Sequence, residues 1–485
     1  MRPKLELLDQ TLLKRIEVEA FQLLTAPGVR IAPCADELLS EAGATVVDGV
    51  AHIPENLARK CLASAPSEFQ LFSRDGQPAV HYGGDDVHFD PGSSCLNILD
   101  RETGQARPAL ASDLVRLVQV TEMLPEYTAQ STAVICNDAP QDVGDWYRLL
   151  LVLLHSAKPV VTGAFSAPGL RTMLDLLTMD AGGEEALRNK PRAVFDVCPS
   201  PPLNWSEFAS QNLIDLARAG VPAEIISMPM AGATAPVTLA GSVVQHAAEC
   251  ISGIVIHQLA GPGAPVVWGG APSIFDMSTG MTPMGSIETA MLDVACSQVG
   301  KHFGLPTHGY LGSSDGKPID AQGGMESGIS TVLGTLAGIN MISGAGMLDF
   351  LACQSVEKLV LDAETIASAQ RLIRGIEPRG ESLAIAMFDQ TGLSGNFLKL
   401  KETRALFRAE QHFPSRVIDR GGLESGDDIH TRLRQRTDEL LAAYRHSAMA
   451  PERQEALLDF ARKEGGKVGL AGLPGIARDE IPAQS

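Results

Sequence analysis

The sequence predicts an α/β protein built on a TIM-type (β/α)8 barrel, with an N-terminal α+β extension and a C-terminal helical appendage. Short continuous apolar stretches recur along the middle of the chain, as in parallel strands covered on both faces. A stretch with helical spacing follows most of them. With 485 residues, the chain is long enough for one barrel with added parts. A doubly wound open sheet is the alternative, but seven or eight such repeats favour the barrel.

Residues 1–110 are predicted to form the N-terminal extension, which covers one mouth of the barrel. A helix over 5–24 is followed by a strand-like piece at 44–50. In the turn-rich stretch 73–104, short apolar pieces such as 87–89 are separated by Gly and Asp. That pattern indicates a small antiparallel region.

Residues 111–380 are predicted to form the barrel, beginning with a helix over 112–124. An eighth strand is placed near 351–361. The other predicted strands are 132–136, 159–164, 193–198, 223–228, 265–270, 306–311 and 340–344. The predicted helices between them are 145–156, 168–179, 207–219, 237–259, 288–303 and 322–336.

The clearest repeat spans residues 223–270, where a strand, a Gly/Pro loop, a helix and a second strand form a βαβ unit. The loop 229–236 leaves the carboxyl end of the first strand, which is the edge where α/β folds bind ligands. Residues 381–485 are predicted to be the C-terminal appendage, with charged helices at 428–444 and 451–463 that carry no evident chemistry.

The composition excludes some classes of function. Lys+Arg 39 against Asp+Glu 58 gives a net charge of -19, which argues against a nucleic-acid partner and permits a cationic substrate. An acidic, soluble surface explains the charge equally well. The eight cysteines lack metal-knuckle spacing, and neither a signal peptide nor an apolar run of membrane-spanning length is evident. We therefore expect reduced thiols in a cytoplasmic protein that does not contact a membrane.

Common catalytic motifs are also missing. The sequence has no P-loop, no Gly-x-Ser-x-Gly elbow and no His-Glu-x-x-His. Phosphate transfer, serine hydrolysis and zinc proteolysis therefore lack their signatures.

Three loops after predicted strands, at 199–206, 271–277 and 312–322, contain most of the candidate site residues. Trp268 lies in the strand before the second loop, and Glu326 lies in the helix after the third. Aromatic faces combined with carboxylates form a cage for a quaternary ammonium ion, because the ring quadrupole attracts a cation that donates no hydrogen bond. The alternative is that each Trp packs in the barrel and that Asp320 caps a helix. His308, inside the sixth predicted strand, is a further candidate. The residues predicted at this mouth are Trp205, Trp268, Phe275, Asp276, Asp315, Asp320 and Glu326.

Three sequence segments resemble the trimethylamine methyltransferase family, whose members include glycine betaine methyltransferases. They are Pro-Met-Ala-Gly-Ala-Thr-Ala-Pro-Val-Thr-Leu-Ala-Gly at 229–241, Gly-Ala-Pro-Val-Val at 263–267, and Asp-Ala-Gln at 320–322 with Glu326. The resemblance covers most of the chain, and its first motif is specific. It implies a TIM barrel and corrinoid-dependent methyl transfer from an amine.

The resemblance also implies a substrate class. Trimethylamine enzymes of this family contain pyrrolysine, whereas residues 315–346 of this chain, where we would expect it, are ordinary amino acids. The pyrrolysine-free relatives act on quaternary amines such as glycine betaine. In the family a separate small protein carries the corrinoid (cobalamin), and nothing in this sequence indicates a corrinoid-binding domain.

On this interpretation, His308, Asp315 and Glu326 are the predicted catalytic residues, and no metal ion is expected in the site. His308 or Lys317 would contact a carboxylate of the substrate. The predicted substrate-binding residues are Trp205, Trp268, Phe275, Asp276, Asp320 and Gln322.

Two other classes of function fit the same residues. A metal-dependent barrel lyase would use Asp315, Asp320 and Glu326 as ligands. A non-catalytic binder of quaternary amines would keep the cage without moving a methyl group. The small side chains of the helix at 237–259 also permit a subunit contact, so a homo-oligomer is possible.

Overall fold

The computed structural model describes residues 2–422, 426–445, 449–470 and 472–476. The helices are α1 Gln10–Thr25, α2 Pro33–Glu41, α3 Glu55–Ser64, α4 Ala111–Met123, α5 Gly144–His155, α6 Ala167–Ala181, α7 Glu184–Asn189, α8 Glu207–Ala219, α9 Leu239–Ala260, α10 Ile287–His302, α11 Ala321–Ala337, α12 Val356–Ile373, α13 Ile385–Thr391, α14 Lys401–Glu410, α15 Ile429–Ala443 and α16 Pro451–Gly466. Short 3-10 turns lie at Gln141–Val143, Gly392–Ser394 and Phe397–Lys399.

The strands are short. They are β1 Val29–Arg30, β2 Thr45–Val47, β3 Val50–His52, β4 Phe69–Phe72, β5 Pro78–Tyr82, β6 His88–Pro91, β7 Asn97–Leu99, β8 Ala106–Pro108, β9 Gln130–Ser131, β10 Val160–Gly163, β11 Ala193–Val197, β12 Ala223–Ser227, β13 Met230–Ala231, β14 Val266–Gly270, β15 Ser273–Ile274, β16 His308–Tyr310, β17 Met341–Ala345, β18 Met347–Leu348 and β19 Cys353–Gln354.

Two parallel sheets form the centre of the fold. One has five strands in the order β14-β12-β11-β10-β9, and the other has three in the order β16-β17-β6. Helices α4 to α6 and α8 to α12 alternate with these strands along the chain and cover them. The predicted α/β class is therefore confirmed.

Backbone contacts link the two parallel sheets at both edges. On one side, the Trp268 amide in β14 donates to the Pro306 carbonyl at 2.9 Å, just before β16. On the other side, the Thr128 amide before β9 donates to the Phe89 carbonyl in β6 at 3.1 Å, and Cys95 pairs with Val134. The eight strands therefore adjoin one another through backbone contacts.

The antiparallel hairpin β4–β5 closes the amino end of these strands. Its side chains Leu71, Val80 and Tyr82 are buried with residues at or near the first positions of the parallel strands. The partners are Ala129, Val161, Val194, Val267 and Met341. We call the side of the strands that faces the hairpin the inner face, and because side chains alternate along a strand, residues two positions further on also lie on it.

Most predicted strands are confirmed to within about two residues at each end, the usual uncertainty of element boundaries. Three predictions are wrong. The strand predicted at 132–136 lies at Gln130–Ser131 as β9, and Val134 forms only an isolated bridge with Cys95. The eighth strand predicted at 351–361 is mainly the start of α12, capped by the Ser355 side chain. The eighth parallel strand is instead β6, which the sequence placed in an antiparallel region, and it pairs in parallel with β17.

The long helix α9 lies within the protein. Its length and apolar composition are those of a membrane-spanning helix, but 83% of its most apolar window is buried by the rest of the chain. Helices α1, α3, α8 and α10 pack around it. It is a core helix, and the eight cysteines are free, as predicted.

Candidate functional site

Acidic side chains lie on the inner face of the parallel strands. Asp196 in β11 is paired with Glu224 in β12, and Asp90 in β6 is paired with Ser343 in β17. His308 in β16 lies on the same face, because it is paired with Met341, one of the residues that pack on the hairpin. We call Asp90, Asp196 and Glu224 the inner acidic cluster.

Hydrogen bonds connect this cluster with its polar neighbours. The Ser343 hydroxyl donates to Asp90 Oδ1 at 2.5 Å, and therefore accepts from Nε2–H of His308 at 2.9 Å. This assignment leaves Nδ1 of His308 as an acceptor with no partner among the described residues. On the hairpin side, Tyr82 donates its hydroxyl to Glu224 Oε1 at 2.5 Å.

Burial controls the protonation of these groups. It raises the pKa of Asp196 to about 7, and it raises the pKa of Asp90 well above its usual value. The pKa of Glu224 is raised well above its usual value by burial and by the neighbouring Asp196. Burial lowers the pKa of His308 to about 3, so the imidazole is neutral at pH 7. The neighbouring carboxyls of Asp196 and Glu224 therefore titrate as a pair, and the pair loses its first proton near neutral pH.

The inner acidic cluster lacks a positive counterpart. Among the residues that the structure describes, no Lys or Arg forms an ion pair with its carboxyls, and neutral His308 lies 3.9 Å from Glu224. One oxygen each of Asp90, Asp196 and Glu224 is buried without a hydrogen-bond partner there. Buried carboxylates in this state attract a cation.

The cluster is accessible from the carboxyl end of the strands. Gly163 and Asp196 are partly exposed, as are Cys198 and Ser93, which follow neighbouring strands. Gly163 is paired with Asp196 and has no side chain to fill the space beside it. A Cβ at this position would be in van der Waals contact with the Asp196 carbonyl oxygen, at 3.4 Å. Above His308, the Tyr310 ring packs edge-on at 5.3 Å, and its hydroxyl lies 3.3 Å from Ser93 Oγ. An aromatic ring thus borders the acidic opening.

The two predicted cage tryptophans lie on the other side of the strands. Trp268 packs against Phe303 and against Gly300 of α10, where a Cβ would come within 2.7 Å of the indole. Trp205 donates Nε1–H to Ser252 of α9 at 2.9 Å. Each is 1% exposed. Their placement matches the alternative of core packing and does not support a role in the cage.

Asp315 and Glu326 lie close together, as expected of neighbouring loop and helix residues. Their hydrogen bonds are to backbone and side-chain groups that hold the loop in place. Glu326 accepts from Ser314 Oγ at 2.6 Å and from the Asp315 amide at 2.9 Å. Asp315 accepts from the amides of Met284 and Gly285 at 2.9 and 3.0 Å. Burial raises the pKa of Asp315 to about 6. The two carboxylates hold the loop after β16 against the start of α10.

The other predicted residues have local partners. Asp320 caps α11 by accepting from the Gly323 amide, and Gln322 donates to Glu326. Asp276 lies with half-buried Phe275 in the loop after β14, where hydrogen bonds from Ser278 and Thr279 lower its pKa. Lys317 lies 3.3 Å from Asp349 and over the Phe350 ring. Within the described residues, no group of three His, Cys, Asp or Glu side chains is arranged to hold a metal ion.

The sequence interpretation missed Asp90, Asp196, Glu224, Tyr310 and Ser343. A usable signal existed for two of them. Asp196 and Glu224 interrupt apolar strands, Ala-Val-Phe-Asp-Val and Ala-Glu-Ile-Ile-Ser. A carboxyl group is expensive to bury, so its presence in a covered strand indicates a functional site.

Comparisons with known proteins give a consistent result. The family model described as trimethylamine methyltransferase (MTTB) matches residues 1–467. Trimethylamine methyltransferase MttB of Methanosarcina barkeri is 34% identical over 402 residues, 81% of each chain. Glycine betaine methyltransferase of Desulfitobacterium hafniense (strain Y51) is 28% identical over 475 residues, 96% of this chain and 98% of that protein.

Among solved structures, monomethylamine methyltransferase (MtmB) of Methanosarcina barkeri aligns over 96% of this chain and 95% of its own, with a TM-score of 0.49 and 12% identity. The match over residues 1–467 and the identity of 34% to a protein covered over 81% of its length are decisive. The chain belongs to the trimethylamine methyltransferase family, as its sequence motifs indicated.

Proposed function

We propose that this protein transfers a methyl group from a quaternary amine, such as glycine betaine or a related betaine, to the Co(I) corrinoid of a separate small protein. The observation that carries the proposal is the inner acidic cluster, whose carboxyls lack a basic partner among the described residues. The relative named glycine betaine methyltransferase supports the substrate class, because it aligns over 96% of this chain.

The site suits a cation that donates no hydrogen bond. A quaternary ammonium ion is attracted by charge and by aromatic faces, since its nitrogen carries no proton. Asp196, ionised above pH 7, supplies the charge, and Tyr310 supplies a neighbouring ring. A cation held there would direct one methyl group toward the open carboxyl end of the strands.

The reaction itself needs little from the protein beyond positioning. The C–N bond breaks with its electron pair remaining on nitrogen, and the new bond to carbon uses the electron pair of Co(I), which the partner protein brings. The product is a neutral tertiary amine that takes up a proton. Burial and the neighbouring Asp196 raise the pKa of Glu224, so its protonated carboxyl would be the donor for that step.

Other predicted residues have more modest roles in this proposal. His308 orients Ser343 and Asp90, while Asp315 and Glu326 hold the rim of the opening. We further propose that the two parallel sheets form one closed (β/α)8 barrel, supported by the contacts of Trp268 and Phe89, with residues 381–485 as its appendage. A cytoplasmic location and a homo-oligomer also remain proposals.

The test is to mix the purified protein with cob(I)alamin and a panel of amines, and to follow methylation of the corrinoid by absorbance. The panel contains glycine betaine, proline betaine, carnitine, choline and trimethylamine. We expect methylation with a quaternary amine and none with trimethylamine. Silence across the panel, repeated with a cognate corrinoid protein, would contradict the proposal and favour a non-catalytic binder.

A further inference from the structure

Arg148 of α5 is a buried cation that the proposed reaction has not used. Its side chain is 0% exposed. Nε donates to the Gly144 carbonyl at 3.0 Å, and one terminal nitrogen donates to Ser94 Oγ at 3.1 Å and to the Thr132 carbonyl at 3.0 Å. The other terminal nitrogen is buried with no hydrogen-bond partner among the described residues.

Within the described part of the chain, no carboxylate forms an ion pair with Arg148. The nearest candidate, Asp145 of the same helix, accepts from the Phe165 amide at 3.0 Å and from Ser166 Oγ at 3.3 Å. Burial lowers the pKa of Arg148 only to about 10, so the guanidinium is charged at pH 7. A buried charge without an ion-pair partner is costly, and a bound anion would reduce that cost.

The guanidinium lies at the same strand ends as the acidic opening. Ser94, which accepts its hydrogen bond, follows Ser93, whose hydroxyl lies 3.3 Å from that of Tyr310. Ser94 has a φ of 63°, a left-handed conformation that is uncommon for serine. Through Ser93 and Ser94, the loop after β6 thus connects the guanidinium with the Tyr310 side of the acidic opening.

One exposed side chain stacks on the Arg148 guanidinium. The Phe165 ring lies over the guanidinium at 4.7 Å, and it is itself 53% exposed. An exposed ring can change rotamer at little cost. Movement of the ring would expose the guanidinium, and a ligand carboxylate would accept a hydrogen bond from its unpaired terminal nitrogen.

We propose that Arg148 binds the carboxylate of the substrate and so selects betaines, which carry both charges, over choline and other quaternary amines without a carboxylate. This inference rests on the proposed function. Arg148 suits the role better than the earlier candidates for the carboxylate, because His308 is neutral and Lys317 already contacts Asp349 and Phe350.

The test uses equilibrium binding by calorimetry at pH 8, without corrinoid, so that it does not depend on turnover. The ligands are glycine betaine, its methyl ester and tetramethylammonium. All three contain the quaternary cation, but only glycine betaine has a carboxylate. For wild type, we expect the ester and tetramethylammonium to bind at least about tenfold more weakly than glycine betaine, since hydrogen bonds to charged groups are worth that much or more.

The variants separate a contact from a structural role. Arg148→Met should raise the Kd for glycine betaine about tenfold or more and leave the Kd for tetramethylammonium within about twofold. Arg148→Lys should fall between Arg148→Met and wild type. Arg116→Met, on the neighbouring α4, removes a half-exposed arginine and should change neither Kd.

Equal affinity of wild type for glycine betaine and its ester would overturn the inference without any variant, even where Arg148→Met fails to fold. An equal loss of both ligands in a folded Arg148→Met would also overturn it. In either case, methylation from some quaternary amine would leave the proposed function standing. If wild type binds no quaternary cation, the proposed function and this inference both fail.

Discussion

The outer and inner faces of the parallel strands differ in how they bury large or charged side chains. On the outer face, Trp205 and Trp268 fill space against α9 and α10, and each is 1% exposed. On the inner face, Asp196 and Glu224 keep buried oxygens without partners among the described residues. The comparison teaches that a large aromatic residue at a strand end is weaker evidence of a site than a charge within the strand.

Replacement of Trp268 by Ala should give the largest effect, and it should be an effect on folding. Truncation of a fully buried Trp costs about 3–5 kcal/mol of unfolding free energy. We expect a large fall in Tm with an unchanged KM in the protein that remains folded. A raised KM at nearly unchanged Tm would instead return Trp268 to the cage and break the contrast between the faces.

Asp196→Asn tests the inner face with little change of shape. Loss of the charge should lower kcat/KM for a quaternary amine roughly a hundredfold, which corresponds to about 2–3 kcal/mol of lost transition-state stabilisation. We expect little change in Tm. Asp276→Asn, in the exposed loop after β14, is the matched control and should be nearly silent. Equal activity of the two variants would remove Asp196 from the site.

The pH dependence sharpens the same point. Burial raises the pKa of Asp196 to about 7, so the carboxylate is present above this pH and is lost as pH falls through it. Affinity for tetramethylammonium should therefore be constant above about pH 8 and decline by up to about tenfold for each pH unit below 7. Calorimetric titrations between pH 5.5 and 9 would measure this, with Asp196→Asn giving a flat profile; a flat profile in wild type would contradict it.

Glu326→Gln should have the smallest effect. The amide still fills the space beside Ser314 and the Asp315 amide, but it loses charge-assisted hydrogen bonds worth about 1 kcal/mol of unfolding free energy. We expect a slightly lower denaturation midpoint in urea and less than about a threefold change in KM. A loss of activity as large as that of Asp196→Asn would make Glu326 part of the inner site.

The sequence predicted the regular parts of the fold well, because apolar strands and capped helices are local patterns. The parallel pairing of β6 escaped prediction because His-Phe-Asp-Pro is polar and short, and because its partner β17 lies some 250 positions later. The family also followed from local motifs at 229–241 and 320–326.

The site was harder to predict for a physical reason. Its members come from β6, β11, β12, β16 and β17, and only the pairing of these strands brings Asp90, Glu224 and His308 together. Arg148 is similar, since its unpaired state depends on what surrounds it in space rather than on its neighbours in sequence. Loop residues such as Asp315 and Glu326 were easier to find, but they proved to support the rim.

The hairpin β4–β5 has a consequence for kinetics. Leu71, Val80 and Tyr82 fill the amino end of the inner face, so the carboxyl end is the entrance to the cluster. In the proposed reaction, the amine and the corrinoid protein would then both approach the cluster through the opening at the carboxyl end of the strands. The amine must enter before the larger partner docks, and the demethylated product must wait for that partner to leave. Steady-state measurements should therefore show a compulsory order of binding, with the amine first.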